Sequence, residues 1–133
     1  TNMTMALSQI TREDRVRSFY EAAGNKTYEE GGDFGPLLTC FSEELGEFNE
    51  AMAEYLLSPD DPEKRKALVK EWADVQFTLS AFPWFFDFNG QVAFTRVANN
   101  NDTKISPDGK VYRRSDGKII KPDNYVACDM GGL

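Results

Sequence analysis

The sequence predicts an all-α protein, a helical bundle of the four-helix type with a short C-terminal loop or β-hairpin tail. In two long segments apolar residues recur at intervals of three and four, as in helices with one buried face. After residue 99 the composition changes to Asn, Asp, Gly, Lys and Pro, which favour turns. A chain of 133 residues is expected to form one domain, with a helical core at about 11–99 and a tail at about 100–133.

The first helix is predicted at about 11–23. Thr11 and Asp14 have the spacing of a capping box, in which each side chain binds the backbone N–H of the other residue. Gly24 is typical of the position that follows a helix end. The glycine-rich segment 25–35 is predicted to be a loop.

The second helix is predicted to begin near Pro36, because proline is favoured in the first helical turn. The segment 58–61 breaks this helix, and Asp61 followed by Pro62 is typical of the cap and first position of a third helix. The spacing predicts one apolar face on each helix. These faces comprise Leu38, Phe41, Leu45, Phe48, Met52 and Tyr55 on the second helix, and Leu68, Trp72, Val75, Leu79 and Phe82 on the third.

Pro83 is expected to kink or end the third helix. A fourth helix is predicted at about 91–99, and the segment 85–89 before it fits either a helical continuation or a loop. In the tail, residues 111–114 and 118–120 flank a turn that contains Gly117, which predicts a small hairpin.

The composition excludes several classes of function. The net charge of −7 disfavours a binder of nucleic acid polymers, which needs a basic face. The absence of histidine removes Ser–His and Cys–His catalysis and His-based zinc sites. Cys40 and Cys128 lack the paired spacing of a zinc site. They are expected to be reduced packing residues, with a disulfide as the alternative. No apolar run is long enough to span a membrane, so a cytoplasmic protein is expected.

Acidic pairs are the most informative feature of the two long helices. Glu44 and Glu47 lie three residues apart on the second helix, and Glu71 and Asp74 lie three apart on the third, so each pair occupies one helix face. Glu47 and Glu71 are nearly equidistant from the turn at 58–61, as are Glu44 and Asp74. Each acid immediately precedes an apolar-face position. An antiparallel hairpin would therefore bring four carboxylates to one level and one edge.

Such crowding of like charges is unfavourable unless cations are bound. Oxygen ligands without His or Cys favour Mg²⁺, or alternatively Mn²⁺, over zinc, and Mg²⁺ commonly bridges carboxylates to substrate phosphates. A single acidic pair on a helix is more often a solvated face. Two matched pairs favour a metal site, and hence a magnesium-dependent enzyme that acts on a phosphorylated substrate.

These acids also carry a resemblance to a known family. The segments EELGE at 43–47 and EWAD at 71–74 resemble the EExxE…ExxD motif of MazG-like all-α nucleoside triphosphate pyrophosphohydrolases. The tail resembles the SNxSK…DGK-x-x-K pattern of a branch related to phosphoribosyl-ATP pyrophosphohydrolase, except that Asn100 stands where the pattern has serine. The resemblance covers about residues 36–130.

The resemblance implies Mg²⁺-dependent hydrolysis of a nucleoside triphosphate to the monophosphate and pyrophosphate, by a homodimer or homotetramer. By position, Glu44, Glu47, Glu71 and Asp74 would be the metal ligands. Glu43 would orient a metal-bound water or act as a base, so that Glu43, Glu44 and Glu47 are the expected catalytic residues.

In the tail, Asn101, Lys104, Lys118 and Lys121 are candidates for binding the substrate, the lysines through its phosphate oxygens. The alternative for these side chains is solvation on an exposed tail. The long tail favours a role in nucleotide-pool sanitation. Two other interpretations stay open: a phosphoribosyl-ATP pyrophosphohydrolase of histidine biosynthesis, and a non-catalytic helical interaction module that binds cations.

Overall fold

The computed structural model describes residues 10–133 and is helical, which confirms the predicted all-α class. The chain divides into two compact units, one that ends at Phe88 and one at Asn89–Leu133. The first unit contains helices α1 (Arg12–Ala22), α2 (Gly35–Leu57), α3 (Pro62–Leu79) and α4 (Ala81–Phe86), and the second contains α5 (Gly90–Asp102) and the tail. Within residues 10–133, no helix combines the length and the apolar character that a membrane crossing requires.

The predicted helix caps are present. The hydroxyl of Thr11 accepts a hydrogen bond from the backbone N–H of Asp14 at 3.1 Å, and the Asp14 carboxylate accepts one from the Thr11 N–H at 3.1 Å. At the start of α3, the Asp61 carboxylate accepts a hydrogen bond from the N–H of Glu63 at 2.9 Å. These side chains satisfy backbone donors that have no partner within the helix, and so they fix where α1 and α3 begin.

Pro83 interrupts the third helix as predicted, but the break lies earlier than the proline. Helix α3 ends at Leu79, Ser80 separates it from α4, and Pro83 lies inside α4. Proline has no N–H to bond the carbonyl of Leu79 four residues before it, and its ring crowds that carbonyl. The chain therefore turns at Ser80, and a short helix continues to Phe86.

The core of the first unit forms where three helices meet. The buried side chains are Val16 of α1, Leu37 at the start of α2, and Ala81 and Phe85 of α4. The backbone N–H of Tyr28 donates to the carbonyl of Phe85 at 3.0 Å and so attaches the loop between α1 and α2 to α4. Because Leu37 begins α2 and Ala81 follows α3, this core lies at the end of the α2–α3 pair that is far from the turn at 58–61.

The apolar face predicted on α2 is only partly covered. Three of its side chains are exposed: 46% of Leu38, 40% of Leu45 and 37% of Met52. Phe41, Phe48 and Tyr55, the other three members of this face, are half-buried. The periodicity thus identifies an amphipathic helix correctly, but only part of its apolar face packs within a single chain.

Helix α5 extends three residues beyond the predicted end at 99, so that Asn101 is helical. Asparagine and aspartate are weak helix formers, which is why the sequence pattern ends the helix too early. The last turn is held by side-chain contacts: the Thr103 hydroxyl donates to the carbonyl of Asn100 at 2.6 Å, and the Asn100 amide donates to the carbonyl of Val126.

The predicted tail hairpin is reduced to one antiparallel bridge, between Arg113 and Ile119, within the part of the tail that the structure describes. A backbone hydrogen bond of 2.7 Å from Ile120 to Tyr112 continues the pairing. Gly117 adopts φ +87° in the turn, a conformation that favours glycine. The antiparallel pairing and the glycine turn of the predicted hairpin are therefore present, but the paired segments are shorter than predicted.

Candidate metal centre

Helices α2 and α3 pack as an antiparallel pair in the register that the acidic pattern predicts. Lys64 on α3 forms an ion pair of 3.1 Å with Glu54 on α2. About two helical turns further from the turn at 58–61, Glu47 on α2 lies close to Glu71 on α3. Both pairs are centred on the turn at 58–61, so the two helices stay level over this length. Glu47 and Glu71 therefore lie at one height, as their spacing from the turn predicts.

Three of the four predicted metal ligands form a compact cluster. One carboxylate oxygen from each of Glu44, Glu47 and Glu71 lies within 4.8 Å of the other two. Separations of this size fit oxygen atoms arranged around one small cation, whose ligands lie about 2.0–2.6 Å from the metal. The cluster joins two helices, because Glu44 and Glu47 project from α2 and Glu71 from α3.

The fourth predicted ligand, Asp74, is held by a lysine that the sequence analysis did not single out. The ammonium group of Lys70 lies 2.5 Å from Asp74 Oδ2 and 3.8 Å from Glu71 Oε1. Lys70 lies four residues before Asp74, a spacing that predicts an ion pair on one helix face. Lys70 thus supplies a positive charge at the edge of the cluster.

Two oxygen atoms of the cluster are buried without hydrogen-bond partners. They are Oε2 of Glu44 and Oε2 of Glu71, and no group within residues 10–133 donates to either. A buried carboxylate oxygen without a donor is costly, and a bound cation removes that cost. These two buried oxygen atoms are evidence independent of the sequence motif, and they fit a bound cation.

The same crowding changes the acidity of the cluster. Burial raises the pKa of Glu44, and the charges of Glu47, Asp74 and Glu71 raise it further. Burial also raises the pKa of Glu71, with Glu47 and Asp74 adding to the effect and Lys70 opposing it. The hydrogen bond to Asp74 raises the pKa of Lys70, which therefore stays protonated. The crowded carboxylates of Glu44 and Glu71 therefore hold a proton more strongly than isolated carboxylates do.

Cys40 lies one helical turn before Glu44. Burial raises the pKa of its thiol, and the nearby charge of Glu44 raises it further. Because soft metals are bound by thiolates, a thiol that stays protonated does not add a soft ligand to the cluster. The donor set is therefore made of oxygen atoms, which suits Mg²⁺ or Mn²⁺.

The remaining predicted site residues lie outside the cluster. Glu43 is exposed on α2 beside Glu44. Asn101 lies in the last turn of α5, and Lys121 lies over the ring of Tyr125 at 4.9 Å. The side chains of Lys104 and Lys118 form no ion pair or hydrogen bond with any residue from 10 to 133. All four tail candidates belong to the second unit, Asn89–Leu133.

The chain matches no protein-family model, and a comparison with curated proteins finds no significant match.

Proposed function

We propose that the chain is a Mg²⁺-dependent nucleoside triphosphate pyrophosphohydrolase that acts in nucleotide-pool sanitation. The reaction converts an NTP or dNTP to the monophosphate and pyrophosphate. One observation carries the proposal: Oε2 of Glu44 and Oε2 of Glu71 are buried without partners inside a three-carboxylate cluster. The resemblance of the motif at 43–47 and 71–74 to MazG-like enzymes supports the choice of reaction.

The acids of the two helices have distinct roles in this proposal. Glu44, Glu47, Glu71 and Asp74 would hold the ion, and bound Mg²⁺ would neutralise phosphate charge and lower the pKa of a water molecule. Glu43 is exposed beside the cluster and would accept the proton of the attacking water. In this reaction the water oxygen forms a bond to phosphorus, the P–O–P bond between the monophosphate and the pyrophosphate breaks, and the leaving phosphate group takes the bridging oxygen.

Lys70 and the tail lysines would bind the negatively charged phosphate oxygens of the substrate. As the polyphosphate and its metal arrive, the Lys70 ammonium can move from Asp74 towards a phosphate oxygen, because both are anionic acceptors. Lys104, Lys118 and Lys121 are proposed to bind phosphate oxygens, and Asn101 to hydrogen-bond the substrate. The side chains of Lys104 and Lys118 have no ion-pair or hydrogen-bond partner among residues 10–133, which supports this assignment.

We also propose that the chain assembles as a homodimer or homotetramer through α2. Leu38, Leu45 and Met52 recur every seven residues on this helix, and all three are exposed. The next apolar residue on this side, Leu56, is 69% exposed. Apolar side chains that are exposed along one helix face are typical of an interface between subunits.

We also propose that the enzyme acts in the cytoplasm, where free cysteines such as Cys128 stay reduced.

The proposal is tested by measuring pyrophosphate release with Mg²⁺ across canonical and modified NTPs and dNTPs. Glu71→Ala is expected to lower the rate on the order of 100-fold or more, because it removes a metal ligand. Glu63→Ala is the matched control, since Glu63 is an exposed acid on the same helix and pairs with Lys66. Full activity of Glu71→Ala contradicts the assignment.

The rival functions predict different outcomes of the same assay. Release from phosphoribosyl-ATP alone would assign the chain to histidine biosynthesis. Metal binding without release from any nucleotide would indicate the cation-binding interaction module.

A further inference from the structure

A cavity lies in the first unit, between α1 and α3. It has a volume of about 320 Å³, and its walls include Arg12 and Arg15 of α1 and Trp72, Gln76 and Phe77 of α3. This volume is at the lower end of the range of small-molecule sites, about 300–1,000 Å³. Its lining combines aromatic surface with two guanidinium groups. We refer to it as the Arg12–Arg15 cavity.

The Arg12–Arg15 cavity is separate from the metal centre. None of the clustered acids lines it. At about 100° per residue around a helix, Gln76 projects roughly 140° away from Glu71 and roughly 160° away from Asp74. The cavity and the carboxylates therefore lie on opposite faces of α3, and a ligand in one site does not occupy the other.

Arg12 and Arg15 have no polar partner in the described part of the chain. Arg12 and Arg15 are exposed, and neither forms an ion pair or a hydrogen bond with any residue that the structure describes. In contrast, Arg17 on the same helix pairs with Asp14 at 2.9 Å. In a chain with a net charge of −7, two guanidiniums that lack an ion-pair partner among residues 10–133 and line one cavity favour an anionic ligand.

The rest of the lining favours a flat, partly polar group. The Trp72 side chain is 50% exposed and its indole N–H has no partner within residues 10–133, while Phe77 is 39% exposed beside it. Aromatic faces of this kind stack on planar rings. The Gln76 amide donates to the Ser80 hydroxyl at 2.9 Å, and its side-chain oxygen accepts no hydrogen bond from any residue between 10 and 133, so it can accept one from a ligand. A nucleobase offers both a planar face and N–H donors.

We propose that the Arg12–Arg15 cavity binds a nucleoside monophosphate. The base stacks against Trp72 and Phe77 and donates to the Gln76 carbonyl oxygen, and the phosphate accepts hydrogen bonds from Arg12 and Arg15. Charge complementarity selects a monophosphate over a nucleoside or an apolar molecule, because only the phosphate pairs the two guanidiniums. This site is independent of the proposed hydrolysis, since it uses no residue of the carboxylate cluster.

The test is a titration of the full chain with AMP in the presence of EDTA, which prevents metal-dependent binding at the carboxylates. Calorimetry is expected to show saturable binding at millimolar AMP or below, accompanied by quenching of tryptophan emission. Adenosine and inorganic phosphate each lack half of the ligand and are expected to bind at least about tenfold more weakly. Arg15→Gln is expected to weaken AMP binding by about tenfold, because it removes a charge-assisted hydrogen bond.

Two control variants make the result specific. Arg17→Gln lies on the same helix outside the cavity and is expected to leave AMP binding unchanged. Glu71→Gln alters the carboxylate cluster and is expected to do the same. Four results overturn the proposal: no saturable binding, equal affinity for adenosine, unchanged affinity in Arg15→Gln, or loss of binding in Glu71→Gln.

Discussion

Substitution of Glu44 by glutamine is expected to have opposite effects in the absence and presence of Mg²⁺. Glu44 contributes a buried oxygen without a donor, and its charge is repelled by Glu47 and Glu71. Glutamine keeps the size of the side chain and removes the charge. In EDTA, Glu44→Gln is therefore expected to raise the melting temperature Tm relative to the natural sequence.

The Mg²⁺-dependent part of this prediction can be given a magnitude. At a Mg²⁺ concentration a hundred times the Kd, binding stabilises the folded protein by about 2.7 kcal/mol. For a chain of 133 residues this corresponds to an increase in Tm of roughly 10 °C, from an unfolding entropy of about 2.1 cal/mol/K per residue. Loss of a metal ligand should weaken binding at least as much as loss of an outer-shell partner, which costs about 10–100-fold. After a 100-fold loss, the stabilisation at the same Mg²⁺ concentration falls to about 0.4 kcal/mol, or roughly 1–2 °C.

Differential scanning calorimetry with EDTA and with Mg²⁺ measures both effects. Glu50→Gln is the matched control, since Glu50 is an exposed acid on α2 that is not part of the carboxylate cluster. The control should keep the full Mg²⁺-dependent increase in Tm. The reasoning is refuted if Glu44→Gln lowers Tm in EDTA, or if its Mg²⁺-dependent increase equals that of the natural sequence.

Three further predictions concern the charges of the cluster and the exposed face of α2. Lys70→Gln should tighten Mg²⁺ binding by about three- to tenfold in calorimetry, because it removes the cation that competes for Asp74; weaker binding would show that Lys70 supports the site instead. The raised pKa of Glu44 means that its charge destabilises the metal-free fold above that pKa, and that this penalty is relieved as pH falls towards the unfolded value near 4.5. The excess Tm of Glu44→Gln in EDTA should therefore be largest near neutral pH and shrink as pH falls towards 4.5, and an excess that is independent of pH would contradict this. Met52→Lys should convert an oligomer to a monomer in sedimentation velocity experiments, whereas Glu50→Lys should not, because Glu50 is exposed on α2 roughly 160° around the helix from Met52; an unchanged oligomer would place the interface elsewhere.

Helix starts and the pairing of acids could be predicted from sequence because they depend on local chemistry. A cap such as Thr11 or Asp61 acts within three residues, so its spacing is sufficient evidence. The level of Glu47 and Glu71 follows from helix geometry and a short turn, both of which are regular. These features required no knowledge of the rest of the fold.

The features that could not be predicted depend on contacts between distant residues. The end of α5 is fixed by an Asn100 contact with Val126, 26 residues away, which outweighs the weak helix propensity of the asparagines. The exposure of Leu38 and Met52 likewise could not be predicted from the periodicity, because the pattern identifies an apolar helix face but not the residues that pack against it. The ion pair of Lys70 with Asp74 is an exception, because it is local, with a spacing of four residues; it was missed because a lysine on a charged helix is normally solvated.

A crystal soaked in Mn²⁺, a hard cation with an anomalous X-ray signal, shows whether Glu44, Glu47 and Glu71 form one metal centre. We expect an anomalous peak at a bonding distance of about 2.1 Å from oxygens of all three carboxylates. A cluster without such a peak at saturating Mn²⁺, or a peak bound only by other residues, would contradict it.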